Sequence, residues 1–257
     1  TGFFGVPTHF HGILSLEQSI LNNAKSHQLK SIISNAAALP QQVKEQIIEH
    51  FGAGLLHETY GSTEGGIISN LRPDDQLKKL QCVGQAFPCT EIKTLTESGN
   101  ICEPNEVGEL FTASPYLFNG YWKRPDETKE ALVDGWLTVG DMARQDEDGY
   151  LYIVDRKKDM VISGGVNIYP REIEDVLYNH PNIQDVAVIG VPDEKWGESL
   201  KAFIVTHNPN ALKSEEVLAF CEQNISKIKT PKIIEFIDSI PRNANGKVLK
   251  TTLRKDS

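Results

Sequence analysis

Cysteine is scarce in this sequence and follows no ordered pattern. Cys82, Cys89, Cys102 and Cys221 include no C-x-x-C pair, and no Cys/His cluster has zinc spacing. Scattered thiols fit a reducing compartment, so a cytoplasmic protein is expected. Positive charge is in deficit: 26 Lys and Arg face 35 Asp and Glu, a formal net charge of -9. That balance argues against a nucleic-acid-coating protein, whose affinity comes mainly from Lys and Arg on phosphates. A nucleotide site, which needs only a few local cations, stays open. No apolar run approaches bilayer length; the longest resemble VAVIGV. No signal-peptide pattern is visible. No GxxxxGK[ST] occurs, so there is no Walker A loop, and no GxSxG elbow occurs either. His9 and His11, in PTHFHG, have no neighbours that complete a metal-ligand set.

What is present supports a sizeable core. The 257 residues are 39% hydrophobic and 24% charged, enough for one large domain or two ordinary ones. Residues 1–80 alternate helical and strand patterns, as part of a parallel sheet would. SLEQSILNNAK reads as a helix behind an N-cap Ser15, and LKSIIS as a strand. LPQQVKEQIIEHF reads as a helix opened by Pro40, with Val43, Ile47, Ile48 and Phe51 on one face. LLHET reads as a strand with YGSTEGG looping beyond its end, where ligands of parallel sheets lie. Residues 81–156 are β-rich, with strands in EIKTLTESGN, VGELFTAS, GWLTVGD and GYLYIVDR. DEDGY reads as a hairpin turn; calcium there is a remote alternative. Residues 157–257, after the charged stretch DRKKD, read as a compact α+β domain. Pro170 opens a helix with Ile173, Val176 and Leu177 as its stripe, and DVAVIGVP, SLKAFIVTH and KIIEFID are strands.

Five short segments can carry chemistry, each with a bland reading beside it. In YGSTEGG the glycines let backbone approach a ligand, Thr63 offers a hydroxyl to phosphate, and Glu64 offers a carboxylate to Mg²⁺. Local composition reads equally well as a surface turn. Asp141 ends TVGD and can accept from two vicinal hydroxyls, or simply close a turn. Arg156, Lys157 and Lys158 read alone as a solvated charge run. Gly164 and Gly165 form a flexible connection or a close passage for a thin ligand. In PRNANGK, Asn245-Gly246 marks a tight turn that projects Lys247, a common arrangement for an exposed hairpin lysine.

In this order, YGSTE, GELFTASPYLFNGYW, GWLTVGD, DRKKDMVISGGVNIYPREIE and PRNANGK resemble the adenylate-forming superfamily: acyl-CoA synthetases, luciferases and peptide-synthetase adenylation domains. VPTHF and SNAAALP fall where that family has its upstream segments, with Asn35-Ala36 in place of Gly-Gly and Ala38 in place of Pro. The family's lysine-bearing Ser/Thr/Gly-rich loop for the ATP β- and γ-phosphates is not in this sequence, so the chain resembles the C-terminal half of such an enzyme. The resemblance implies an α/β layer of a large domain plus a distorted β-barrel subdomain, then a small mobile α+β domain. It implies ATP-dependent activation of a carboxylic acid, a fatty acid by expectation, to acyl-AMP, followed by transfer to CoA. Tyr60 would stack on adenine, with Ala36, Ala37 and Ala38 lining its other side. Thr63 would contact the α-phosphate and Glu64 would hold Mg²⁺. Asp141, helped by Arg156, would bind ribose. Lys247 would bridge the carboxylate and α-phosphate, Lys158 would be the hinge, and Gly164 and Gly165 would flank the pantetheine path. A carrier-loading adenylation module and an inactive nucleotide-binding remnant are the alternatives. A homodimer is compatible with all three.

Overall fold

The computed structural model describes residues 1–23, 26–208, 212–243 and 246–255. Backbone proximity divides the chain into two compact units, Thr1–Ile153 and Val154–Ser257. Among the described residues no helix is long and apolar enough to cross a membrane.

The first unit opens with a five-stranded sheet: β1 (Gly2–Gly5), β2 (Ser31–Ser34), β3 (Leu56–Ser62), β4 (Gly66–Leu71) and β5 (Gln85–Ala86), in that order. β1, β2 and β3 run parallel, and β4 and β5 are antiparallel additions. Helices α1 (Pro7–Leu14), α2 (Gln18–Asn23) and α3 (Gln41–Phe51) accompany it. The helix expected behind Ser15 is placed differently. Pro7, pre-set for a first helical turn, starts α1 earlier, and Phe10 is buried in the core edge-on to Phe3. Ser15 therefore closes α1, its N–H donating to the His11 carbonyl at 3.0 Å. α2 is a separate short helix; Ala24 and Lys25, the end of the expected one, lie outside the described residues.

Helix α3 buries Val43 and Ile47 as its apolar spacing predicts, with Ile48 and Phe51 half-buried against the same cluster. Its buried face also includes Lys44. Lys44 forms an ion pair with Glu58 on β3, the two side chains 1% and 4% exposed. Glu58 Oε1 also accepts the Leu39 N–H at 3.1 Å. Between β2 and α3 the chain passes through Ala36 at φ 76. This left-handed conformation costs an L-residue roughly 1–2 kcal/mol relative to glycine. The Asn35 side chain holds the bend by accepting the Ala36 N–H and donating to Thr59 Oγ1 at 2.7 Å.

The second sheet contains β6 (Glu91–Leu95), β7 (Gly108–Ala113), β8 (Leu132–Val133), β9 (Trp136–Leu137), β10 (Asp141–Gln145) and β11 (Leu151–Arg156). Its path is β11-β10-β7-β9-β8, with β6 also on β7, and α4 (Pro125–Ala131) precedes β8. The expected barrel is not closed among the described residues. The two-residue strands β8 and β9 end the path and are too short to carry a ladder back to a far edge. DEDGY is the β10–β11 turn, with Asp146 N–H bonded to the Tyr150 carbonyl at 3.0 Å. Lys79 Nζ meets Asp146 and Asp148 at 2.8 Å each, so a lysine holds these carboxylates where calcium was the alternative.

The second unit is built on a third sheet: β12 (Val161–Ser163), β13 (Val166–Ile168), β14 (Ile183–Asp193), β15 (Gly197–Thr206) and β16 (Ile233–Phe236). The order is β13-β12-β15-β14, with β16 parallel to β15. Helices α5 (Pro170–Leu177) and α6 (Ser214–Asn224) cover one face through Ile173, Leu177, Val217 and Cys221. Ile240 and Leu253, the latter on the short α7 (Lys250–Leu253), pack against Ala187 and Ile189 of β14 on the other face. Burial on both faces explains why VAVIGV is continuously apolar.

Two stability predictions follow from the first unit. Glu58→Ala strands a buried ammonium and lowers unfolding free energy by about 3–5 kcal/mol. Lys44→Met/Glu58→Leu recovers all but the Leu39 N–H penalty of about 1–3 kcal/mol. Urea midpoints of the three proteins check this order. Ala36→Gly, by relieving the positive φ, raises stability by about 1 kcal/mol, read as a higher thermal midpoint.

Candidate functional site

YGSTEGG is not a loop beyond a parallel strand. Tyr60, Gly61 and Ser62 are still in β3, residues 63–65 turn, and Gly66 begins antiparallel β4. The segment is a β-hairpin tip with a bulge between Tyr60 and Gly61. Gly61 is required by contact: a Cβ there would sit 2.0 Å from the Gly66 carbonyl oxygen. Ser62 Oγ closes the tip by accepting the Gly65 N–H at 3.0 Å, and Thr63 is exposed.

Glu64 is oriented from both ends. Its carbonyl accepts the Phe118 N–H at 2.7 Å, and its Oε1 accepts the Tyr121 hydroxyl at 2.7 Å. Burial, reinforced by the Glu64 hydrogen bond, pushes the Tyr121 phenol up to about 12, so it remains a donor at neutral pH. Sequence reasoning assigned Tyr121 no role. It lies 57 positions from its partner, and FNGYW has no local signature of a hydrogen-bonding task.

Tyr60 and Asp141, 81 positions apart, meet directly: the Tyr60 hydroxyl donates to Asp141 Oδ2 at 2.5 Å. Asp141 opens β10 at 6% exposure. The Tyr60 ring packs against the cluster of Val83, Leu110, Ala143 and Leu151. The register that sets Ser34 opposite Glu58 brings Asn35 alongside Thr59, which precedes Tyr60. The first unit thus contains Ala36, Ala37, Ala38, Tyr60, Thr63, Glu64 and Asp141, with the three alanines exposed beyond β2.

The remaining candidates belong to the second unit. Arg156 ends β11, its N–H on Asp155 Oδ1 at 2.7 Å. Lys158 is exposed in a single 3-10 turn, Lys157–Asp159, whose Asp159 is buried and pairs with Arg254 at 2.9 Å. Gly164 and Gly165 turn the β12–β13 hairpin, and the Gly164 N–H donates to the Trp196 carbonyl at 2.9 Å. Lys247 is exposed on a short antiparallel return in which Arg242 bridges Val248. The expected Asn245-Gly246 turn falls partly outside the described residues, since Asn245 is not among them; Gly246 has φ 79.

Chemically, the first unit offers a solvent-facing hydroxyl, a phenol-oriented carboxylate and a buried carboxylate able to accept from a diol. Among the described residues no group of three or more His, Cys, Asp or Glu could enclose a metal. Glu64 nevertheless fits Mg²⁺ brought by a phosphate ligand, because Mg²⁺ takes one or two carboxylates and fills its shell with phosphate oxygens and water.

A family model of AMP-binding enzymes matches residues 1–122, and one of the AMP-binding enzyme C-terminal domain matches residues 172–247. A long-chain-fatty-acid–CoA ligase of Bacillus subtilis is 39% identical over 257 residues, covering 100% of this chain and 45% of the relative. A feruloyl-CoA synthase of Amycolatopsis sp. is 36% identical, covering 98% and 51%. The chain thus spans about half the length of the curated relatives it matches. ATP-bound MatB from Rhodopseudomonas palustris superposes with a TM-score of 0.91 at 32% identity, covering 100% of this chain and 50% of that one. The o-succinylbenzoate CoA synthetase of Bacillus subtilis, in complex with ATP and magnesium ion, gives 0.87 at 30%, covering 98% and 51%. With two models of one enzyme type spanning more than half of the sequence between them, and relatives aligned along nearly all of it, the chain belongs to the AMP-binding enzyme family.

Proposed function

We propose that this chain carries the nucleotide wall and the small C-terminal domain of an ATP-dependent acid–CoA ligase whose acid is a fatty acid. The observation that carries the reading is the Tyr60–Asp141 hydrogen bond in the same unit as the Thr63–Glu64 hairpin tip. It puts an aromatic ring and a diol-accepting carboxylate together, as a nucleoside requires. The name of the Bacillus subtilis relative supports a long-chain fatty acid, and the names of both relatives support the CoA acceptor.

In the first half-reaction a substrate carboxylate oxygen attacks the ATP α-phosphorus, and pyrophosphate leaves. Adenine lies along the backbone of Ala36, Ala37 and Ala38 against Tyr60. Asp141 accepts from the ribose hydroxyls, assisted by Arg156. Thr63 donates to an α-phosphate oxygen, and Lys247 offsets the negative charge shared by carboxylate and phosphate. Glu64, held by Tyr121, holds Mg²⁺, which when bound neutralises phosphate charge. In the second half-reaction the CoA thiol sulfur attacks the acyl carbonyl, its proton passes to solvent, and AMP leaves. Lys158 is the pivot between the half-reactions, within a proposed domain arrangement of 1–156 and 157–257, and Gly164 and Gly165 admit the pantetheine arm. Positioning and electrostatics supply the catalysis. We also propose that the protein is cytoplasmic and compatible with a homodimer.

The 257-residue chain alone is expected to give no robust palmitate-dependent ATP–pyrophosphate exchange, because its sequence contains no lysine-bearing Ser/Thr/Gly-rich loop for the β- and γ-phosphates. Exchange at the rate of a complete ligase refutes that division of labour. In the whole protein, Lys247→Ala slows adenylation by about 10²–10³-fold, the effect of removing one transition-state donor. Thioester formation from supplied palmitoyl-AMP and CoA is largely spared. Equal losses in the two half-reactions overturn the assignment of Lys247.

A further inference from the structure

Lys247 stands on an exposed return, and the direction in which its side chain leaves the chain is set by the backbone at its Cα. The peptide unit joining Gly246 to Lys247 is held at both ends. Its carbonyl oxygen accepts Arg242 Nη1 at 2.7 Å, and its N–H donates to Asn243 Oδ1 at 2.9 Å. The other arm of the Arg242 fork is anchored outside the return: Nη2 lies 2.8 Å and 2.9 Å from the two oxygens of Asp185. Asp185 is itself fixed. It accepts the Tyr178 hydroxyl from just past the end of α5, and its Oδ1 accepts the Val186 N–H at 2.9 Å. Burial and the Asp185 hydrogen bond push the Tyr178 phenol well above its ordinary range, so it stays a donor. Downstream, Lys250 pairs with Glu174 of α5 at 2.8 Å, and Glu174 Oε1 also accepts the Val188 N–H at 2.8 Å.

We propose that Arg242 is a positioning residue for Lys247: its guanidinium links the Gly246 carbonyl to Asp185 and thereby sets the direction in which Lys247 leaves the backbone. This rests on the reading of Lys247 as the cation of the first half-reaction. The planar fork matters, because one arm grips a carbonyl while the other grips a carboxylate in fixed relation. A lysine ammonium is a single point charge and cannot reproduce that geometry. The competing reading is an ordinary surface ion pair, which contributes little to global stability and nothing to one half-reaction in particular.

The test uses Arg242→Ala, Arg242→Lys and Lys247→Ala in the whole protein. Palmitate-dependent ATP–pyrophosphate exchange reports adenylation, and palmitoyl-AMP with CoA reports thioester formation. Arg242→Ala is expected to lower adenylation about 10–100-fold, the scale of a small misplacement of a reacting group. Thioester formation stays within about threefold, the scale of a lost surface ion pair. Arg242→Lys fails to restore adenylation. In the 257-residue chain, Arg242→Ala speeds hydrogen exchange at the Lys247 amide while the thermal midpoint stays near that of the parent. Should Arg242→Ala fold poorly, Asp185→Asn detaches the same anchor with the arginine kept, and the same split is expected. Adenylation impaired by Lys247→Ala but not by Arg242→Ala, equal losses in both half-reactions, rescue by Arg242→Lys, or unchanged exchange at Lys247 each overturn the positioning role while the function stands. Lys247→Ala without effect on adenylation overturns both.

Discussion

The first unit depends on a buried ion pair between Lys44 and Glu58. Charges this deep are tolerated only when paired and hydrogen-bonded, and removing either partner strands the other. Glu58 satisfies that condition with two groups from different segments: the ammonium of α3 and the Leu39 N–H after the Ala36–Ala38 bend. It is also the β3 residue two positions before Tyr60. One carboxylate therefore ties the helix, the exposed alanine bend and the strand leading to the hairpin tip. The hydrophobic cluster around Ile32, Val43 and Ile47 supplies cohesion, which is non-directional. The ion pair adds direction, since its geometry admits one register of α3 over β3.

A similar economy orders the polar residues nearer the proposed chemistry. Each carboxylate assigned to the nucleotide is held by a phenol from a distant segment, Asp141 by Tyr60 and Glu64 by Tyr121. A phenol suits this task because it orients a carboxylate without neutralising it. An arginine in the same place would hold the carboxylate more tightly and compete with a sugar hydroxyl or a hard cation. The hairpin tip itself holds no Lys or Arg, so on the proposed reading the positive charge that meets phosphate lies on another segment. On that reading Lys247 supplies it, and the fixed peptide unit before Lys247 is the counterpart of the phenols: a local constraint on a group that must arrive in one orientation.

Legibility followed the range of the forces involved. Pro170, the stripe of Ile173 and Leu177, and the apolar runs of β14 and β15 announce themselves, because each depends on propensity and burial within a short window. Ser15 misled because Pro7 and buried Phe10 had already begun a helix, leaving the serine to close it. The burial of Lys44 was not legible, because its partner Glu58 lies on another element. The resemblance implied a distorted barrel, whereas the second sheet is open among the described residues; a strand-rich composition does not reveal that two of its strands are two residues long. Among the candidate residues, Thr63, Glu64, Asp141 and Lys247 were proposed from ordered motifs, whereas the Tyr121–Glu64 and Arg242–Asp185 contacts each join residues 57 positions apart and could not be read from spacing.

The sequence by itself determined the local chemistry: the helix opened by Pro170, the apolar runs of β14 and β15, the order of the short motifs, and that no cation lies within YGSTEGG. These follow from backbone propensity, side-chain type and order along the chain. Only the tertiary structure decided that YGSTEGG is a hairpin tip, that Gly61 is demanded by the Gly66 carbonyl, that Tyr60 meets Asp141, and that Arg242 links Gly246 to Asp185. Those outcomes depend on strand register and on contacts between residues far apart in the chain. Hydrogen bonds and close packing act over a few ångströms of space, and distance along the sequence does not reveal which atoms share that space.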